Sequence, residues 1–213
     1  MAFDPKFYNE RPGLLEIGGT IYTTWGSHCD QGPYTSWVMS FSADTLKQTS
    51  VLNLVPNGNE GGIWMSGTAP AADAAGNIYF IVGNGDFGTT LDANGFPANA
   101  NCGNCFAKIS SSAPLKLLDY FTPLNTVSQS AADIDLGSGG PLLLPDVVDS
   151  NGATRHLALG SGKDANIMFS TATTWASSTP AGTTSTNKSA GSSRRRIRKA
   201  ELFQRYRVLR RGR

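Results

Sequence analysis

Residues 76–85, Gly-Asn-Ile-Tyr-Phe-Ile-Val-Gly-Asn-Gly, constrain the fold more than any other stretch of this chain. The run is short, apolar, β-branched and aromatic, and glycines close it at both ends. That pattern predicts a buried strand entered and left through tight turns. Similar units stand at residues 18–26 and 151–160. Their spacing is irregular but compatible with four-stranded units interrupted by loop insertions. The fold class expected is all-β, a partial β-propeller of about three four-stranded blades. A β-sandwich is the alternative.

The rest of the pattern supports this division. Residues 14–25 alternate and turn at Gly18-Gly19, as a hairpin does. Residues 37–41 and 51–55 read as the next two strands, joined by a turn at 42–46. Two polar, glycine-rich loops, 26–34 and 57–67, flank them. After the central run comes a long loop, 86–103, and then a strand pair at 105–110 and 115–121. Residues 141–145, Pro-Leu-Leu-Leu-Pro, look buried, and 157–160 and 166–169 close the patterned part. No strong helical periodicity precedes the tail, and no apolar run approaches the roughly 20 residues of a membrane span. The start of the chain shows no signal peptide.

The overall charge of +2 hides an asymmetry. Residues 194–213 hold ten of the 18 Lys and Arg and one acid, Glu201, a net charge of +9, while the remainder carries −7. The two parts do not look like one design. Two domains are therefore expected: a partial propeller over 1–169, and a low-complexity, basic tail over 170–213 that is disordered or out of frame.

Several motifs suggest chemistry. Gly83-Asn84-Gly85-Asp86-Phe87-Gly88 matches a dinucleotide fingerprint, but loop sequence follows where a helix must begin, so a turn is expected. Residues 160–164 lack the leading glycine and the Ser or Thr of a phosphate loop. Cys102 and Cys105 are spaced like a redox or metal pair, yet zinc needs further ligands. With Cys29 the count is odd, so no disulfide framework follows. Asp133 and Asp135 resemble the start of a calcium loop without its later oxygen ligands, and are weak metal candidates against an ordinary Asx turn. Ser27, His28, Asp30, Glu60 and Trp64 lie in the two polar loops. Propellers place such loops at the ends of the central channel, where ligands bind, so these five are the ligand-loop candidates. Turn capping and blade packing, with Trp64 as a wedge, is the ordinary alternative and the preferred one. No Gly-x-Ser-x-Gly nucleophile motif occurs, and no catalytic residue is assigned.

The segments at 11–15, 25–30, 60–64 and 133–145, in that order, resemble bacterial PQQ-like β-propeller repeat proteins over residues 3–169. That group includes quinoprotein dehydrogenases and non-catalytic assembly propellers. Its members are longer, so the resemblance implies a fragment of a periplasmic or secreted parent. It implies a binding or scaffold propeller first, with no cofactor. The alternative is part of a PQQ-dependent dehydrogenase, with PQQ and calcium across the propeller face, a catalytic Asp as base, a Trp under the quinone and a vicinal-cysteine feature. Read one nucleotide earlier, residues 172–184 can encode Arg-Asp-Asn-Met-Gly-Lys-Phe-Asn-Pro-Gly-Gly-Asn-Asn, which resembles the family's continuation. The opposite shift over 194–212 yields another strand of the Gly-x-Val-Tyr type. The tail is therefore expected to be frame-shifted. If instead it is genuine, residues 194–213 are expected to bind nucleic acid or an acidic surface.

Overall fold

In the computed structural model, residues 2–171 are described. Strands β1 (Tyr8–Asn9) and β2 (Leu15–Ile17) both pair antiparallel with β3 (Thr20–Ser27). Tyr8 lies opposite Ser27 and Leu15 opposite Tyr22, so β1 and β2 are two pieces of one interrupted strand. Gly18 and Gly19 make the β2–β3 turn with φ of +55° and +79°. Two left-handed residues in succession match the twist of the flanking strands, and glycine adopts them without a Cβ clash. β4 (Trp37–Ser42) and β5 (Gln48–Asn53) complete the first blade.

The second blade has the order β6 (Ala71–Ala72), β7 (Ile78–Ile81), β8 (Phe106–Ile109), β9 (Leu117–Phe121), every pair antiparallel. A six-residue helix, α1 (Thr126–Ala131), follows. It leaves the all-β expectation standing, and so short a helix cannot display a 3.6-residue repeat in the sequence. The third sheet pairs β10 (Leu142–Leu143) with β13 (Leu157–Ser161) and β13 with β14 (Ile167–Thr171). Inserted between β10 and β13 is a small hairpin, β11 (Val147–Val148) with β12 (Thr154–Arg155). Residues 141–145 are not buried as expected, for Leu142 is 55% exposed. The flanking prolines limit ladder donors and keep β10 a two-residue edge strand.

Apart from that inserted hairpin, each sheet is thus an up-and-down meander of sequence neighbours, stacked in chain order. A sandwich would instead face two sheets across one core. The described residues hold two four-stranded blades and three strands of another, and among them the blades do not close a ring.

The central run explains the stack. β7 alternates, with Ile78, Phe80 and the following Val82 entering one core with Tyr22, Val38, Leu54 and Ile63 of blade one. Tyr79 and Ile81 enter another with Phe106, Leu136 and Ala158, toward blade three. All four β7 side chains are fully buried. A strand covered on both faces has no polar side to display, which is why the run is continuously apolar.

Candidate functional site

β3 and β5, β7 and β9, and β13 occupy the second and fourth places in their antiparallel sheets, so β3 runs with β5 and β7 with β9. The loops that leave them meet. The Gly61 N–H donates to the Asn84 carbonyl (2.5 Å), and Glu60 bridges to Gly85. The Asn84 N–H donates to Asp135 Oδ1 (3.0 Å) and the Asn84 side-chain amide to Asp133 Oδ1 (2.8 Å). Lys163, from the β13–β14 turn, closes on Asp133 at 2.7 Å. Non-glycine residues with left-handed backbone concentrate here. Cys29, Asp30, Glu60, Met65, Ser66, Ala100, Asn104, Asp133 and Ala165 all lie in these loops, while Leu46 lies at the other end. Such conformations persist only where the surroundings impose them, and they gather at functional sites.

Trp64 is the half-buried centre of this face. A Cβ at Gly26, Gly62 or Gly83 would lie 2.8, 2.8 or 2.7 Å from its indole. The three glycines therefore let the indole settle on backbone from both of the first two blades. The Tyr34 ring meets it edge-on, with centroids 6.1 Å apart, and the Arg11 guanidinium lies 5.9 Å from its ring centroid. The buried Tyr34 hydroxyl donates to Asp30 at 2.5 Å. Burial first, then that carboxylate and those of Glu60 and Asp135, push the Tyr34 phenol far above its ordinary range.

Of the sequence candidates, the structure gathers Asp30, Glu60, Trp64, Asp133 and Asp135 on one face. Glu60 is pushed above the usual carboxylate range, first by desolvation and then by Asp30, Asp86, Asp133 and Asp135. Asp135 is raised by its burial, although the N–H groups of Asn84 and Gly137 and the Lys163 charge work against this. The Lys163 ammonium is held above its ordinary value, chiefly by its bond to Asp133. Ser27 and His28 are placed differently. Ser27 is buried opposite Tyr8, and the His28 backbone N–H donates to the Phe7 carbonyl (2.9 Å), so both belong to the β1 side of blade one.

Tyr34, Asn84, Asp86 and Lys163 join the site without having been singled out for it in the sequence. Residues 83–88 are loop, as expected, and their glycines serve close backbone packing: a Cβ at Gly85 would lie 2.4 Å from the Gly61 nitrogen. Cys102 and Cys105 correct the sequence expectation, since they form a disulfide. Spacing alone could not separate that outcome from two free thiols.

No family model matches the sequence, and no curated protein matches it. Among solved structures the chain is similar to a quinohemoprotein alcohol dehydrogenase from Pseudomonas putida HK5, at 14% identity and a TM-score of 0.57. The match covers 79% of this chain and 27% of that one. The fold is that of a PQQ-type β-propeller. The chain spans about a quarter of the length of that enzyme.

The side chains here that a quinone with calcium would draw on are already engaged with one another. The Trp64 indole is already hemmed by three glycines, Tyr34 and Arg11. The disulfide joins residues three apart and is buried, with Cys102 1% and Cys105 0% exposed, so it offers no vicinal ring to a flat ligand. Among the described residues no group of three or more His, Cys, Asp or Glu side chains is arranged to hold a metal ion. Asp133 and Asp135 are instead committed to Lys163, Asn84 and Gly137. Among the described residues no helix is long and apolar enough to cross a membrane. The basic segment 194–213 and the expected frame shift lie outside the described residues.

Proposed function

We propose that this chain is a section of a PQQ-like β-propeller that serves as non-catalytic blades of a binding or scaffold protein, with the loop face around Trp64 as its ligand face. The convergence of Asp30, Glu60, Asp133, Asp135 and Lys163 from separate loops of all three blades carries this proposal. The concentration of left-handed backbone on the same face supports it. The parent is extracytoplasmic in this proposal, in keeping with a disulfide between Cys102 and Cys105.

The likeness to a quinohemoprotein alcohol dehydrogenase favours a second reading, in which the chain is part of a PQQ-dependent dehydrogenase. Titrating the full-length protein with PQQ in the presence of calcium separates the two. Unchanged quinone absorbance is expected from blades without a cofactor site. A saturable, stoichiometric change would establish the dehydrogenase reading in its place.

A further inference from the structure

Asn104 is wholly buried, holds a left-handed backbone with φ of +50°, and sits between two cysteines that are bonded to each other. Its N–H donates to the Gly83 carbonyl (2.7 Å). Its carbonyl accepts the hydroxyls of Thr122 (3.1 Å) and Thr126 (3.0 Å). Its side-chain oxygen accepts the Leu136 N–H (2.8 Å), and its side-chain nitrogen donates to the Thr126 carbonyl (3.4 Å). One residue thereby ties the β7–β8 loop to the end of β9, to α1 and to the segment entering blade three. That segment carries Asp133 and Asp135.

The four-residue ring around Asn104 is itself anchored on two blades. The Cys102 N–H donates to the Leu54 carbonyl of blade one (2.7 Å), and the Cys105 carbonyl accepts the Val82 N–H (2.8 Å). A left-handed asparagine is held by its surroundings, and here a covalent link is part of them. Without that link the 102–105 backbone regains freedom, and only hydrogen bonds, those of Asn104 and of the loop backbone, hold it.

We propose that the Cys102–Cys105 disulfide is a redox-sensitive clamp, acting through Asn104, that holds α1 and residues 132–137 against blade two. The clamp regulates the loop face and in that sense rests on reading it as the ligand face, but its mechanics need no ligand. A dithiol opens it. One reductant thiolate attacks one sulfur, the S–S bond breaks, and the other cysteine leaves and takes up a proton. The second reductant thiol then displaces the remaining cysteine, and the reductant ends as a cyclic disulfide having supplied two electrons and two protons. Both sulfurs are buried, so attack waits on local opening of the 102–105 loop.

Hydrogen exchange of the full-length protein, read by mass spectrometry with and without dithiothreitol, tests this. With both thiols shown free by mass, amides of residues 126–137 are expected to exchange about tenfold faster, as expected when about one hydrogen bond of net stabilisation is lost, while β4 is unchanged. Asn104→Gly keeps the left-handed backbone available and the disulfide intact, and is expected to speed exchange in the same segment. Unchanged exchange at 126–137 after verified reduction would overturn the clamp. So would an equal rise in β4, which would make the disulfide a general support, or an Asn104→Gly protein that exchanges like the wild type. None of these outcomes depends on whether the face binds PQQ or anything else.

Discussion

At the residue scale, Gly83 shows how closely the blades meet. A Cβ there would lie 2.7 Å from Trp64 Cδ1 and 2.8 Å from both Asp135 Oδ1 and the Gly62 carbonyl. The carbonyl is backbone and cannot step aside. Gly83→Ala is therefore expected to destabilise the protein by about 1–3 kcal/mol, the usual range for overpacking. Urea unfolding with tryptophan fluorescence reads the loss. Gly32→Ala is the control, because nothing lies within 4 Å of a Cβ at that position.

At the element scale, the loops carry the electrostatics. Glu60 and Asp135 both have raised folded values, so the folded protein holds their protons more tightly than the unfolded chain does. That contribution to stability is fully present below the unfolded chain's ordinary carboxylate pKa and is lost as pH rises from there through the raised folded value. Glu60→Gln removes one of the two titrations and one repelling charge. It is expected to raise stability near neutrality and to flatten the pH dependence between the ordinary carboxylate range and neutrality. Urea melts at several pH values check the sign: a variant less stable than the wild type near neutrality would show that Glu60 is not repelled. The elements themselves were largely legible. Gly18-Gly19 specified the β2–β3 turn, and the continuous run at 76–85 specified a strand buried on both sides. The composition of the loop face was not. Asn84 reaches Asp133 and Asp135, and Lys163 reaches Asp133, only after blades two and three stack, and no local period records such contacts. Tyr34 gave no signal either, since a single tyrosine in a polar loop carries no pattern. The Cys102–Cys105 bond depends on geometry that spacing alone leaves open.

At the scale of the whole molecule, the chain is a stack in which blade two is packed against blade one on one face and blade three on the other. Buried area follows from that position. Tyr22, Val38 and Leu54 cover Phe80 from one side, while Leu136 and Ala158 cover Tyr79 and Ile81 from the other. The loop face follows as well, since the loops at one end converge only because the blades are stacked in chain order. The backbone amides of residues 78–82 are therefore the most direct probe of the account. In hydrogen exchange resolved to individual strands, β7 is expected to be among the slowest-exchanging of the described strands, and β5, at a sheet margin, faster. Exchange of β7 at the rate of β5 would contradict the stack and, with it, the propeller architecture on which the proposed ligand face depends.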